Sequence, residues 1–370
     1  MKKIRNIPFI DLSLKKIDLD KTIRNISRLI KDKNFIGGEE VRKFQDNFSK
    51  FNGSKYCLGV ANGTDALEIA LESLDIPKNS EVIVPNFTFL SPAEAVVRGG
   101  YKLVLADINL NDFTISIESL KKLITKKTSA LIVVHLFGNP CNMVEVKKIT
   151  DKHGIKIIED CSQAHGAKFR GKIVGNFGDV GTFSFYPTKN LGAFGDAGAI
   201  VTNKKSLYEK AQKIANHGRV ATYDHLLPGR NSRLDSFQAS VLNLKIKNLE
   251  KHNKLRIKQA SHLIKGIKSS NIETLKLSSD QFSVFHQFPI LSKERKSLMA
   301  FLEKKGINCG IYYPKPLSKM KAFSNIKGIN KVHSKNSEIA CNEILSLPIG
   351  PHLNIKDSEY IANAIQSFSN

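Results

Sequence analysis

Strand-like and helix-like segments alternate between about residues 55 and 205, and this alternation constrains the fold more than any other feature of the sequence. Short apolar runs, VIV (82–84), LIVV (131–134) and IKII (155–158), are separated by segments whose apolar residues have helical spacing. Strands separated by helices pair in parallel and are covered on both faces, so they are apolar on both sides. The sequence therefore predicts an α/β domain whose ligands bind in the loops beyond the carboxyl ends of the strands.

The pattern changes after residue 234. A long, charge-rich helical segment begins there, and shorter strand-like and helix-like segments come after it: SVFHQFPIL (283–291), ERKSLMAFLEKKG (294–306), CGIYYP (309–314) and DSEYIANAIQSF (357–368). We expect a large domain over residues 1–240 and a smaller α+β domain over residues 241–370. We also expect the N-terminal arm, residues 1–30, to pack on the smaller domain.

The formal net charge is +23, although the charged fraction of 25% is ordinary. A basic surface attracts nucleic acid, anionic membranes or phosphorylated small molecules. The lysines form no long block, and the sequence has no arginine-rich arm and no zinc-finger spacing. We interpret the charge as lysines on solvated faces and predict no nucleic-acid partner.

The five cysteines are widely spaced and form no C-x-x-C pair, which indicates free thiols and no metal site. The basic N-terminus has too short an apolar run for a signal peptide. No run of about 18 apolar residues occurs, so we predict a cytoplasmic protein without membrane insertion.

Lys189, in SFYPTKNLGAFGDAGA (184–199), lies between aromatic residues and a glycine-rich loop. If this lysine forms a Schiff base with pyridoxal phosphate, a carboxylate is needed at the ring nitrogen, and Asp160 ends a predicted strand. The phosphate needs a helix N-terminus, and ANGTDAL (61–67) is a strand, a glycine turn and a helix start. Phe89 is a candidate to cover the ring. Asp160 as a helix cap and Phe89 as a core aromatic remain open alternatives.

Eight motifs occur together in the sequence: NGTDAL, VIVPNFTF, VHLFGNP, IIEDCSQAHGA, SFYPTKNLGAFGDAGAIVTN, NHG, GRNSRLDSFQAS and LSLPIGP. In order and approximate spacing they resemble the DegT-type (DegT/StrS) nucleotide-sugar aminotransferases, which are pyridoxal-phosphate enzymes of fold type I. The resemblance extends from about Ile10 to the C-terminus. It implies a large domain with a mostly parallel seven-stranded sheet flanked by helices, and a smaller α+β C-terminal domain.

The resemblance also implies roles at the cofactor. Lys189 is the Schiff-base lysine, Asp160 pairs with the pyridinium nitrogen, Gln163 lies by the ring hydroxyl and Phe89 stacks on the ring. The phosphate is held by four residues of the same chain, Gly63, Thr64, Asp65 and Ser184, and by Asn231 of the partner in a homodimer with shared active sites. Five positions match the sugar pocket: Tyr186, His217, Arg233, Tyr312 and Tyr313.

The implied reaction passes an amino group from glutamate to the cofactor, releasing 2-oxoglutarate and leaving pyridoxamine phosphate. A nucleotide-linked keto-sugar then takes the amino group, giving an amino sugar for surface polysaccharide, such as lipopolysaccharide O-antigen, or for glycoconjugates. The combination of KNLGAFGDAGA with NSRLD is more similar to members that aminate C3 than to members acting at C4. UDP and dTDP both remain open, and so does a carboxylate on the sugar.

Three other functions are compatible with parts of this sequence. Dehydratases of the same family have histidine in place of the lysine, and Lys189 is present here. A non-catalytic regulator or scaffold is favoured by lost cofactor residues, and none is lost. A nucleic-acid binder is suggested by charge alone. The chain departs from many relatives at Ala197, where they carry glycine, and at Tyr312, where histidine is frequent.

Overall fold

The computed structural model describes residues 5–14, 16–326 and 334–369, so residues 1–4 and 15 of the expected N-terminal arm lie outside it. The helices are α1 (Lys16–Lys31), α2 (Gly38–Asn52), α3 (Gly63–Ser73), α4 (Ser91–Arg98), α5 (Ile117–Leu123), α6 (Met143–His153), α7 (Lys205–Ala215), α8 (Ser236–Gly266), α9 (Arg295–Lys304), α10 (Lys335–Glu343) and α11 (Ile355–Ser369). The strands are β1 (Tyr56–Val60), β2 (Glu81–Pro85), β3 (Lys102–Ala106), β4 (Thr128–Val134), β5 (Lys156–Asp160), β6 (Lys168–Phe169), β7 (Lys172–Ile173), β8 (Val180–Ser184), β9 (Gly198–Thr202), β10 (Arg219–Ala221), β11 (Asp224–His225), β12 (Ile272–Thr274), β13 (Gln281–Phe282), β14 (Phe288–Ser292) and β15 (Ile344–Leu347).

The central sheet has seven strands in the order β1-β9-β8-β5-β4-β2-β3. Strand β2 is parallel to β3 and β4, β4 is parallel to β5, and β5 is parallel to β8. Strand β9 is antiparallel to both β1 and β8. A loop without a helix joins β8 to β9, so the chain makes no crossover there and returns in the opposite direction. The predicted α/β fold with a mostly parallel seven-stranded sheet is confirmed.

Both faces of the central strands are buried, as their sequences require. Along β2 and β4, Val82, Val84 and Ile132 pack in one apolar cluster, whereas Ile83 and Leu131 pack in another on the opposite face. The first cluster includes residues of α3, α4 and α7, and the second includes residues of α5 and α6. Helices therefore cover both faces and leave the strand ends to form the site.

A second apolar core surrounds a small antiparallel sheet of order β12-β14-β15, which packs with α9, α10, α11 and the C-terminal part of α8. The N-terminal segment joins this body, since Ile7 forms a parallel bridge with Ile307 and its amide donates to the Gly306 carbonyl at 2.7 Å. Arg5 forms a 3.0 Å ion pair with Asp357. The division of the chain near residue 240 stays a proposal, and α8 runs through that position without a break.

One strand prediction in the C-terminal half is wrong, and another begins too early. The segment CGIYYP forms only one isolated bridge, Gly310 to Ser346, and Pro314 and Pro316, which lack amide hydrogens, prevent a ladder from continuing past Tyr313. In SVFHQFPIL only Phe288 onward is strand. In the part of the chain that the structure describes, no helix combines the length and apolarity needed to cross a membrane.

Candidate active site

A cavity of about 2060 Å³ lies beyond the carboxyl ends of the parallel strands, where the fold predicts a ligand. Strands β5 and β8 end at its wall with Asp160 and Ser184. Of the site residues that the sequence predicts, those that line the cavity are Gly63, Thr64, Asp65, Phe89, Asp160, Gln163, Ser184, Tyr186, Lys189, Tyr312 and Tyr313. Segments distant in sequence are therefore brought together around Lys189.

The N-terminus of α3 forms an anion cradle on one side of the cavity. The Asn62 side chain caps the helix by accepting from the Asp65 amide at 2.8 Å, which leaves the amides of Gly63 and Thr64 for a ligand. The Thr64 hydroxyl lies 2.7 Å from the Ser91 hydroxyl. A Cβ atom on Gly63 would lie 2.7 Å from the Ser184 Cβ, so only glycine allows these two segments to approach. Amides, hydroxyls and a helix N-terminus together suit a phosphate group.

Lys189 is partly buried in the cavity wall, and its backbone amide closes a turn onto the Tyr186 carbonyl at 2.8 Å. Burial lowers the pKa of Lys189 to about 8, although the negative charge of Asp160 opposes this shift. About a tenth of the amine is therefore neutral at pH 7, far more than for a lysine with an ordinary pKa, and the neutral form is the one that attacks a carbonyl carbon.

Asp160 is 5% exposed at the end of β5, and its Oδ1 accepts from the Ser162 amide at 3.0 Å. The residues after it form turns, so Asp160 caps no helix and that alternative is wrong. A buried carboxylate that lines the same cavity as a basic amine is suited to keep a proton on an aromatic ring nitrogen.

An amide and a phenol next to Asp160 orient each other. Gln163 accepts from the Phe137 amide at 2.8 Å through Oε1 and donates through Nε2 to the Tyr313 hydroxyl at 3.2 Å. Burial raises the pKa of Tyr313, so its hydroxyl stays protonated. Phe89 is 54% exposed, with its ring 6.0 Å from that of Tyr313, whereas Phe87 takes the core position at 1% exposure. Phe89 is therefore no core aromatic.

Three predicted site residues do not line the cavity of this chain. His217, Asn231 and Arg233 are exposed near the hairpin of β10 and β11, and Asn231 bridges to Asn216 there. The geometry of one chain places them away from Lys189. The role predicted for Asn231 depends on a second chain, and the roles of all three residues stay predictions.

Several residues that line the cavity were missed by the sequence analysis. His286 and Arg256 are both 8% exposed, and Asn190 follows Lys189 directly. His286 lies in a segment predicted as strand, which masked it. The usable signal was Arg256, the single arginine of the long helix α8, which lies between Leu255 and Ile257.

One buried cluster, His135, Glu159 and Cys161, has the composition of a metal site. Glu159 already accepts from His135 Nε2 at 3.0 Å and from the amides of Gly175, Phe177 and Gly178 at 2.8, 2.6 and 2.7 Å. Burial raises the pKa of Glu159, but these hydrogen bonds outweigh it and hold the pKa below its usual value. The carboxylate joins β5 to the loop before β8, and its role is structural.

A model of the DegT/DnrJ/EryC1/StrS aminotransferase family matches residues 17–366. The chain is 37% identical to the UDP-N-acetyl-3-dehydro-alpha-D-glucosamine 3-aminotransferase of Acidithiobacillus ferrooxidans, over 97% of each chain. It is 38% identical to the dTDP-3-amino-3,6-dideoxy-alpha-D-galactopyranose transaminase of Aneurinibacillus thermoaerophilus, over 98% of this chain and 99% of the relative. It is also 37% identical to a protein of Geobacillus stearothermophilus named pleiotropic regulatory protein, over 98% of each chain.

The fold is shared with solved structures of similar length. The crystal structure of S. venezuelae DesV in complex with a ketimine intermediate superposes with a TM-score of 0.94 at 33% identity, over 99% of each chain. NtdA of Bacillus subtilis with bound cofactor PMP superposes with a TM-score of 0.90 at 26% identity, over 99% of this chain and 86% of that chain.

Proposed function

The chain belongs to the DegT/DnrJ/EryC1/StrS aminotransferase family, and we propose that it transfers an amino group from glutamate to C3 of a keto-sugar linked to UDP or dTDP. The broader class is a pyridoxal-phosphate-dependent nucleotide-sugar aminotransferase. The product is a nucleotide-linked amino sugar for surface polysaccharide or glycoconjugate synthesis. The observation that carries the proposal is Lys189, whose pKa of about 8 is set in a cavity that also holds Asp160 and an anion cradle.

The described residues fit the cofactor that this class requires. Lys189 would bind its aldehyde and Asp160 its ring nitrogen, while Gln163 and Phe89 would contact the ring. Gly63, Thr64 and Ser184 would hold its phosphate, since they form the cradle at the start of α3. When bound, the cofactor serves as an electron sink for the carbon from which a proton is removed.

Each side chain has a defined task in proton transfer. Lys189 Nζ takes up and returns a proton, because a pKa of about 8 keeps both of its forms present near neutral pH. Asp160 would keep a proton on the ring nitrogen by its charge. Gln163 and Tyr313 fix each other through their hydrogen bond and would hold the ring in place. Phe89 covers a face of the cavity and excludes water from the reacting atoms.

Support for C3 comes from the sequence and from the names of relatives. KNLGAFGDAGA occurs together with NSRLD in this chain. The names of the A. ferrooxidans and A. thermoaerophilus relatives both place the amino group at position 3.

The test is a half-reaction screen. The enzyme is first converted by glutamate to its pyridoxamine phosphate form, and 3-keto and 4-keto sugars on UDP and on dTDP are then offered separately while absorbance is followed. We expect a 3-keto sugar to restore the original spectrum. Restoration by 4-keto sugars alone would overturn C3, and restoration by no sugar would overturn the substrate class.

We also propose a homodimer with shared active sites. The hairpin of β10 and β11 projects exposed apolar residues, with Val220, Tyr223 and Leu226 at 47, 94 and 67% exposure. Asn231 lies beside it. A hairpin with this composition is suited to contact a second chain, and Asn231 would then reach the phosphate of the partner's cofactor.

A regulatory role is the second candidate, and the name of the G. stearothermophilus relative favours it. The presence of Lys189 and its lowered pKa favour a catalytic role instead. A purified protein that bleaches with glutamate and recovers with a keto-sugar is catalytic whatever else it does. A protein that neither binds the cofactor nor changes colour would support regulation.

A further inference from the structure

A histidine that has no role in the proposed function lies close to the reactive lysine. His286 lines the cavity, and its Nδ1 is 3.1 Å from Oδ1 of Asn190, the residue that follows Lys189. Its carbonyl accepts from the Arg256 guanidinium at 3.2 Å, and the same Nη1 donates to the carbonyls of Phe285 and Ile349. The imidazole is therefore held through its ring and through its backbone.

The surrounding amides fix which nitrogen of His286 carries the proton. Asn253 donates through Nδ2 to the His165 carbonyl at 2.8 Å, so its Oδ1 is an acceptor. Asn190 Nδ2 donates to that Oδ1 at 3.0 Å and to the Val284 carbonyl at 3.2 Å. The Asn190 Oδ1 is then an acceptor as well. His286 must donate to it from Nδ1, because two acceptors cannot share a hydrogen bond.

The other ring nitrogen is left with a lone pair. Burial holds the pKa of His286 well below its usual value, and the positive charges of Lys189 and Arg256, together with His165, lower it further. The ring is therefore neutral. Within the described residues its Nε2 has no hydrogen-bond partner. Both ring nitrogens of His165 are sealed in the core without a partner, and His286 Nε2 is not sealed in this way.

We propose that His286 is a specificity-determining residue, whose Nε2 accepts a hydrogen bond from a hydroxyl or amino group of the sugar bound beside Lys189. This inference rests on the proposed function, because it assigns a contact to the same substrate. An acceptor at this position favours a donor group on the sugar and repels a carbonyl or carboxylate oxygen. Lys189 and Arg256 line the same cavity.

The first experiment tests the tautomer without any substrate. ¹⁵N NMR of histidine-labelled enzyme with bound cofactor should show one ring with a protonated Nδ1 and a bare Nε2 that does not titrate between about pH 5 and 8. The signals absent from the His286→Gln spectrum identify it. A ring that is protonated at Nε2, or that titrates in this range, would overturn the inference even if the protein is a fully active aminotransferase.

The second experiment tests the contact. Calorimetry measures the binding of UDP- and dTDP-linked 3-amino sugars, and of UDP and dTDP alone, to the wild type, His286→Phe and His286→Gln. Phenylalanine fills the space without an acceptor, so it should weaken amino-sugar binding about tenfold and leave nucleotide binding unchanged. Glutamine offers both an N–H for Asn190 and an acceptor oxygen, so it should bind within about threefold of the wild type.

The outcomes separate the two proposals. Equal sugar affinity in the wild type and His286→Phe, or an equal loss for sugar and bare nucleotide, overturns the role of His286 and leaves the proposed function intact. Failure of the wild type to bind either amino sugar overturns the proposed function, and the assigned contact falls with it.

Discussion

The pKa of Lys189 controls when this chain reacts with an aldehyde. Its value of about 8, lowered by burial from 10.5, makes the amine neutral above about pH 8. We predict that the rate at which cofactor-free protein reacts with pyridoxal phosphate rises with pH and levels off above about pH 8. In Asp160→Asn the carboxylate that opposes the shift is gone, so the pKa falls further and the plateau begins at lower pH. Stopped-flow absorbance measures both profiles.

Lys245 provides the matched control for this measurement. Burial also lowers its pKa to about 8, and it donates to the Gly192 carbonyl at 2.7 Å in the same cavity. Lys189→Ala should abolish the saturating phase, whereas Lys245→Ala should retain it. A phase that survives in Lys189→Ala and disappears in Lys245→Ala would identify Lys245 as the reactive amine and contradict the proposed site.

Asp160 should affect turnover more than it affects retention of the cofactor. We predict that Asp160→Asn keeps the cofactor bound through the phosphate cradle. Its turnover falls about 10- to 100-fold, because one charged hydrogen bond to the ring is lost. Steady-state kinetics and the absorbance of the purified variant give the two quantities. A normal rate would remove the role assigned to Asp160.

Among the elements, the contact between the start of α3 and the end of β8 sets the shape of the cradle. Gly63→Ala places a methyl group 2.7 Å from Ser184 Cβ, so we predict at least tenfold weaker cofactor binding. The clash is with a Cβ atom, so Gly63→Ala/Ser184→Gly should recover affinity relative to Gly63→Ala/Ser184→Ala. Both double variants lack the serine hydroxyl, so the difference between their affinities measures only the effect of the clash at the Cβ atom. Equal affinities in the two would show that the clash is relieved elsewhere.

The buried carboxylate of β5 couples two elements in a pH-dependent way. Glu159→Gln should destabilise the fold by about 3 kcal/mol near neutral pH, because it disrupts a buried pair and a network of amide donors. A lowered pKa contributes stability above the usual value of 4.5, and this is lost as pH falls through the folded-state pKa. The difference from the wild type should therefore shrink in acid. Denaturant unfolding measures it, and Glu209→Gln, at an exposed glutamate, should change stability by less than about 0.5 kcal/mol.

The strand–helix order of the large sheet was predictable, and the contacts of single side chains were less so. Apolar runs such as LIVV in β4 and helix starts such as that of α3 are encoded within a few residues. The reversed direction of β9 was not predictable from its own apolar pattern, because a buried parallel strand has the same pattern. His286 was missed for a related reason, since its environment is set by Asn190 and Arg256, which are distant in sequence.

For the whole molecule, the proposed homodimer makes a prediction about mixtures. If Asn231 serves the partner's site, Lys189→Ala and Asn231→Ala dimers are each impaired at both sites. Subunit exchange creates mixed dimers in which one site has an intact lysine and an intact asparagine. We predict that activity rises on mixing, measured after unfolding and refolding the two variants together. No gain from a mixture with proven exchange would place Asn231 in the site of its own chain, or in none.

Helix α8 is one unbroken rod of 31 residues, with Val241 and Lys245 at the cavity and Ala260 and Leu263 in the core of the small sheet. At about 1.5 Å per residue it is roughly 46 Å long. Adding or deleting one residue in its middle would turn everything beyond that point by about 100° around the helix axis. The gene should therefore accept substitutions along this stretch far more readily than changes in its length. Where lengths do differ, changes close to whole numbers of turns would be the ones that survive.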